Sequence, residues 1–239
     1  MRRSDVTARV LSWVIEQADA DQMSIGVPAL CQAAARRLGV SGASLTVNAS
    51  SGWSELRHAT DFLAERLAEL QVTVGEGPCA DARRDSDPVL VDDLSLPECR
   101  QWWPVFTPLA VEQGASALFA LPLGFGAVEI GVLALHRIVA GRLSGTELAD
   151  ALVFADLAMT LLIDEEATVT HGPDDDEEIP LHDAQVHQAT GMLTVQLGVS
   201  ARDAFVCLRA RAFAEHRPLS AVAADVVARR LQFDKKDEQ

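Results

Sequence analysis

AQVHQATGMLTVQLGVSARDAFVCLRARAFAEHRPLSAVAADVVARRL, residues 184–231, decides how this chain is organised. Val186, Ala189, Leu193 and Leu197 step by three, four and four, the spacing of one helix face. Gly198 follows them, where a helix C-terminus favours glycine. Ser200 opens Ser-x-x-Asp ending at Asp203, a capping-box-like start for a second helix. Ala201, Ala204, Phe205, Leu208 and Ala212 form its stripe. Pro218 marks a second break and suits the first turn of a third helix. Leu219, Val222, Ala223, Val226 and Leu231 supply the third face. The pattern predicts an all-α three-helix bundle.

The same residues carry a family resemblance. Gln-Ala-Thr-Gly-Met-Leu at 188–193 resembles the Ala-x-Gly-Met-Leu signature of the ANTAR RNA-binding module, and Ala204-Phe205, Leu208-Arg209 and Val222-Ala223 match its later positions. The resemblance covers the final segment and implies a transcription antiterminator that binds paired RNA hairpins in nascent transcripts. It implies an RNA surface on the first helix and the start of the second. His187, Gln188, Thr190, Gly191, Arg202 and Arg209 are the candidates, because guanidinium groups suit phosphates and unstacked loop bases. Thr190 stands where many family members carry lysine.

Charge divides the chain in the same place. Residues 1–180 hold 12 arginines against 28 carboxylates, a net −16, whereas residues 181–239 hold 8 basic and 7 acidic side chains. The overall −15 argues against nonspecific nucleic-acid binding by the whole chain. The near-neutral, Arg-bearing end suits an output module. Between the two lies His171-Gly-Pro-Asp-Asp-Asp-Glu-Glu-Ile-Pro180, five successive acids flanked by prolines, which cannot bury a core. The expected division is a sensor over 1–168, an acidic linker over 169–180 and the RNA module over 181–239.

The sensor alternates helical and strand patterns. Asp5–Ala20 reads as an amphipathic helix and Pro28–Leu38 as a second. Ala43–Val47, Glu55–Ala59 and Val89–Val91 read as short strands. Phe62, Leu63, Leu67 and Leu70 return to helical spacing, and a helix is expected across Trp103–Glu112. Ser116–Leu123 and Val128–His136 are the strongest strands, joined by Gly124-Phe125-Gly126 as an antiparallel hairpin. Ser144-Gly-Thr-Glu147 is a capping box opening a helix to about Glu166. This order predicts an α+β domain with an antiparallel sheet covered by helices.

Gln71-x-x-x-Gly75-Glu76-Gly77-Pro78-Cys79, with Trp103-Pro104-x-Phe106, Leu121-Pro122-Leu123 and Ile130-Gly131-Val132-Leu133, resembles a GAF domain, the sensor fold related to PAS. A GAF domain followed by ANTAR is similar to actinobacterial regulators. The resemblance implies a small-molecule ligand between the sheet and the helices on one face. Trp53, Phe62, Trp102, Trp103, Phe106 and Phe119 are the pocket candidates. No motif names the ligand or a cofactor.

Catalysis has one candidate. There is no Gly-x-Ser-x-Gly, His-Glu-x-x-His or P-loop, and no lysine in residues 1–180 for a receiver-type phosphorylation site. Cys79 follows Gly-Glu-Gly-Pro, where a helix N-terminus would lower a thiol pKa. Some GAF proteins reduce free methionine sulfoxide with such cysteines, and Cys99 would be the resolving partner. Glu76 and Asp81 oppose thiolate formation. The expectation is a non-enzyme with reduced, structural cysteines, since Cys31, Cys79, Cys99 and Cys207 show no zinc-site spacing. No signal peptide or apolar run of bilayer length is present, so a cytoplasmic protein without membrane contact is expected. Finally, Leu148, Leu152, Ala155, Met159 and Leu162 form a heptad-like seam that suggests a homodimer. The alternatives to an RNA regulator are a thiol reductase using Cys79 and a module whose last segment only dimerises.

Overall fold

The computed structural model describes residues 3–48, 53–125, 128–169 and 181–233. The acidic run Asp174–Glu178 lies outside them. Two helices lead, α1 (Arg3–Asp21) and α2 (Val27–Arg37). Strands β1 (Gly42–Asn48) and β2 (Ser54–Ala59) follow, then helices α3 (Phe62–Val74) and α4 (Pro78–Asp85). Strand β3 (Val89–Val91) precedes α5 (Pro97–Trp102) and α6 (Phe106–Glu112). Strands β4 (Ala117–Phe125) and β5 (Val128–Arg137) form the hairpin, and α7 (Gly145–Val169) closes the sensor.

The sheet runs β2-β1-β5-β4-β3, with every pairing antiparallel. Alternation along the strands gives it two apolar faces. Leu45, Phe119, Leu121, Leu133 and Leu135 point to one side and pack with Val10, Val14, Leu30 and Phe154 of α1, α2 and α7. Leu118, Ala120 and Val132 point to the other and pack with Leu67, Ala82, Trp103 and Phe106 of the α3–α6 layer. Both faces are therefore covered, unlike the many antiparallel sheets that leave one face wet.

Two readings change. The helix expected across Trp103–Glu112 is present but starts at Phe106, after a break that separates it from α5, which ends at Trp102. Pro104 removes an amide and disfavours helical geometry at Trp103, whose φ is −132 and ψ 76. The α7 stripe is mostly occupied by the sensor itself. Ala155 and Leu162 are buried in its core, Leu148 and Met159 pack against it, and Leu152 is exposed. A helix covering a sheet needs that same apolar spacing.

The capping box is present as read, with Ser144 N–H donating to Glu147 Oε2 at 2.6 Å and Glu147 N–H to Ser144 Oγ at 3.2 Å. The C-terminal segment contains α8 (Leu181–Leu193), a π-helical turn over Thr194–Gly198, α9 (Ala201–Ala214) and α10 (Leu219–Val227). Ser200 caps α9 by accepting from Asp203 N–H at 3.2 Å. Ala189, Leu193, Leu208, Val222 and Val226 form the core of this segment. Trp53 of the sensor is buried in that same cluster.

Candidate ligand cavity and nucleic-acid interface

The Gly-Glu-Gly-Pro-Cys motif is a clamp. Gly75 ends α3 with φ 76, and Gly77 precedes α4 with φ 134 and ψ 171, a region open almost only to glycine. Gln71, buried on α3, then reaches across the turn. Its Oε1 accepts from Cys79 N–H at 2.7 Å, and its Nε2 donates to Leu67 O and Cys79 Sγ, each at 3.2 Å. Glu76 Oε1 accepts from the backbone N–H groups of Val105 and Phe106, at 2.6 and 2.9 Å. These lie at the amide-rich start of α6, where a carboxylate is favoured. Asp81 Oδ2 accepts from Trp103 Nε1 at 2.9 Å. Gln71, Glu76 and Asp81 thus fix the start of α4 against α3 and the segment leading into α6.

The same surroundings act on the Cys79 thiol. Burial pushes it up to about 12, and the Gln71 hydrogen bond and Arg83 charge lower it less. Cys99 is also raised, by burial and then by Asp93, Glu98 and Asp92. Thiolate is the reactive form, so Cys79 alkylation at pH 8 is expected to be about a thousandfold slower than at an ordinary exposed cysteine. The rate should climb about tenfold per pH unit toward pH 11. Fast, pH-independent labelling of Cys79, followed by peptide mass mapping, would contradict this.

Fixing α4 also aims Arg83 into a cavity of about 480 Å³. Ser44 and Thr46 of β1 and Val132 of β5 form its floor. Gln71, Val72 and Cys79 form one wall, and Trp53 another. The lid is α9, through Arg202, Phe205, Val206 and Arg209. Trp53 stacks on Phe205 with ring centroids 4.3 Å apart and 16° between planes, and lies 5.1 Å from the His187 ring. Arg209 lies across the Gly75 turn, where a Cβ would sit 2.1 Å from its Nη2. Its Nε donates to Thr73 O at 3.0 Å, and its guanidinium carbon lies 5.9 Å from the Phe205 ring centroid. Burial and the neighbouring Arg83 charge both lower the Arg209 pKa.

Beside the cavity, Glu69 of α3 serves as a cap for α10. Its Oε1 accepts from Ser220 N–H at 2.9 Å and Ser220 Oγ at 2.6 Å, where α10 has no side-chain cap of its own. His187 is hydrogen-bonded to Glu55 of β2.

Of the six aromatic candidates, Trp53 lines this cavity. Phe62 and Trp102 are exposed, at 73% and 63%, and Trp103 and Phe106 belong to the core under α3–α6. Phe119 points to the opposite face of the sheet, into the α1, α2 and α7 core. Arg83 and Gln71, which also line the cavity, are not among those six. Arg83 lies four residues after Cys79, so a helix starting at Pro78 brings both to one side. The RNA candidates scatter. Gln188 and Gly191 are exposed, Arg202 is an exposed residue of the cavity lid, and His187 and Arg209 engage the sensor. Thr190 is buried, with its hydroxyl donating to Val186 O at 2.7 Å, so it offers no surface to a partner in this arrangement. No group of three or more metal-ligating side chains and no membrane-length apolar helix occurs among the described residues.

The GAF domain model matches residues 27–162, more than half of the chain, and the chain belongs to that family. The ANTAR domain model matches residues 181–227, so this is a GAF domain joined to an ANTAR domain. Both are regulatory domains, and ANTAR is an RNA-binding antitermination module. Among solved structures, the fold is similar to the GAF domain from Acinetobacter phosphoenolpyruvate-protein phosphotransferase, with TM-score 0.51 and 13% identity over 69% of this chain and 97% of that one. The GAF domain from a Coxiella burnetii phosphoenolpyruvate-protein phosphotransferase gives TM-score 0.48 and 12% identity, covering 69% and 98% of the two chains. Type II free methionine-R-sulfoxide reductase from Thermoplasma acidophilum gives 0.42 and 19%, covering 57% and 89%. No curated protein matches the chain.

Proposed function

We propose that this protein is a signal-responsive RNA-binding antiterminator in which the GAF domain restrains the ANTAR domain. The observation that carries this reading is α9 docked across a GAF cavity with Arg209 turned inward. In that position Arg209 donates to Thr73 rather than to an RNA phosphate or base. His187 is similarly engaged by Glu55. Signal binding shifts the balance between docked and released states, and the released ANTAR domain holds paired hairpins in nascent RNA against terminator folding. Gln188 and Gly191 lie exposed on α8 and complete the RNA surface.

The test is a gel shift of the full chain with RNA carrying two hairpins and with a single-hairpin control. The paired RNA is expected to bind more tightly, with affinity falling as salt rises because condensed cations are released. Arg209→Ala should weaken binding, by about 1–3 kcal/mol if it reads a base. No shift of the paired RNA at low salt would overturn the reading.

A homodimer is part of the same proposal. Helices α1 and α7 leave Leu11, Ile15, Leu152 and Ile163 exposed. Burying them against a second copy would place two ANTAR domains together, as two hairpins require. Leu152→Glu combined with Ile163→Glu is expected to convert a dimer to a monomer, because like charges would be buried across the interface. Equal sedimentation masses for parent and variant would contradict this.

A further inference from the structure

We propose that the cavity between the two domains binds a small organic anion, a flat apolar body bearing a carboxylate or phosphate group, gripped jointly by Arg83 of the GAF domain and Arg202 and Arg209 of the ANTAR domain. The three guanidinium groups line one cavity of about 480 Å³, a volume in the range of small-molecule sites. None of the three forms an ion pair with a carboxylate among the described residues. Arg83 donates to Ser54 Oγ and Arg209 to Thr73 O, both neutral acceptors.

This lack of counter-ions stands out within the ANTAR domain itself. Arg211 and Arg217 both pair with Glu215, and Arg217 and Arg230 both pair with Asp225. Glu129 feels the Arg83 charge, but burial outweighs it and raises the Glu129 pKa to about 7. It is therefore a weak counter-ion near neutral pH. Like charges facing one half-buried space favour any anion that reaches them, through charge-assisted hydrogen bonds that arginine forms in pairs with carboxylate and phosphate. The remaining walls select the rest of the ligand. Trp53 and Phe205 present ring surface, Val132 is apolar, and Ser44 and Thr46 supply hydroxyls.

Because its contacts come from both domains, the anion binds the docked state better than the released one. A ligand shifts an equilibrium only by such differential affinity, and here the shift is toward docking. The anion is accordingly an antagonist of RNA binding. That second half rests on the RNA-binding reading above, whereas the anion site does not.

Calorimetry on the full chain tests the site, with phenyl phosphate and benzoate as probes to separate the two anionic groups. One saturable site per chain is expected for at least one probe. Arg83→Met and Arg209→Met should each weaken it about tenfold or more. Arg202→Gln, at an exposed position, checks the same dependence without touching the core. Arg84→Met, the neighbouring exposed arginine paired with Asp81 and Asp85, should leave it unchanged. Absence of saturation by both probes, or equal weakening by Arg84→Met, would overturn the site. In the gel shift, a saturating probe should raise the protein concentration needed for the parent but not for Arg83→Met. Equal effects on both would overturn the antagonism while the calorimetry stands. Failure of RNA binding without any probe would instead sink the antiterminator reading and leave the anion site to be judged by heat alone.

Discussion

Trp53→Ala is expected to tighten RNA binding. Trp53 belongs to the GAF domain by sequence, yet it is buried in the ANTAR core cluster and stacked on Phe205. Removing a buried tryptophan costs about 3–5 kcal/mol in a core, and here most of that loss falls on docking. An RNA that binds only the released state has its apparent affinity reduced by the fraction released. Weakening the docked state removes that reduction, so affinity should rise by roughly tenfold to a hundredfold. Glu69→Gln should act in the same direction with a smaller gain, since it weakens the cap on α10 without opening the stacked rings. Quantitative gel shifts of the three proteins, with circular dichroism to confirm retained helix, measure this. An unchanged or lower affinity for Trp53→Ala would mean that docking does not restrain RNA binding.

Gly77→Ala should strongly destabilise the GAF domain, through backbone strain and a side-chain clash together. At φ 134 and ψ 171 an L-residue is strained by about 1–3 kcal/mol. The new Cβ would also stand 2.6 Å from Gln71 Oε1 and 2.7 Å from its Cγ. Gln71 has nowhere to retreat without giving up the Cys79 amide, and a buried unsatisfied N–H costs about 1–3 kcal/mol more. The sum is roughly 2–6 kcal/mol, a melting-temperature loss on the order of 10 °C for a chain of this size. Gly191→Ala is the counterpart. It sits in α8 with nothing within 4 Å of an added Cβ, and alanine favours a helix interior over glycine by about 1 kcal/mol. Thermal melts should therefore move in opposite directions for the two substitutions. A Gly77→Ala melt within about 2 °C of the parent would show that the turn is not held as described.

Periodicity carried most of the fold. Strand β1 alternates apolar and hydroxyl residues, β4 and β5 are near-continuous apolar runs, and the antiparallel sheet follows from these and the short link between β4 and β5. For α4 only the start at Pro78-Cys79 was legible and not its extent, because half of Pro78–Asp85 is charged and Pro78 and Ala82 alone are buried, so no apolar stripe marks it. The candidate site was less legible. Residue type drew attention to six aromatics, but Phe119 and Leu118 are neighbours that face opposite layers, and sequence does not say which layer holds the cavity. The arginines of the cavity were half visible. Arg202 and Arg209 stood out as cations in the ANTAR segment, whereas the side that Arg83 faces depends on how far α4 runs past Cys79. Docking left no local trace at all. The contacts of Trp53 with Phe205 and of Glu69 with Ser220 span more than 150 positions, and no spacing rule reaches that far.

The Glu69 cap has a consequence for how release would propagate. The first turn of α10 borrows its acceptor from another domain, so this helix is complete only while the domains touch. On separation, the Ser220 amide returns to water and the N-terminal turn loses about 0.5–2 kcal/mol of stabilisation. The Glu69 carboxylate is freed at the same moment, to turn fully to its neighbour Arg66, which already lies 3.1 Å away. Detachment and fraying are thus a single event rather than successive ones. A released ANTAR domain would carry a looser third helix than it has when docked, and its order in the free state would be something for RNA, or a second copy, to restore.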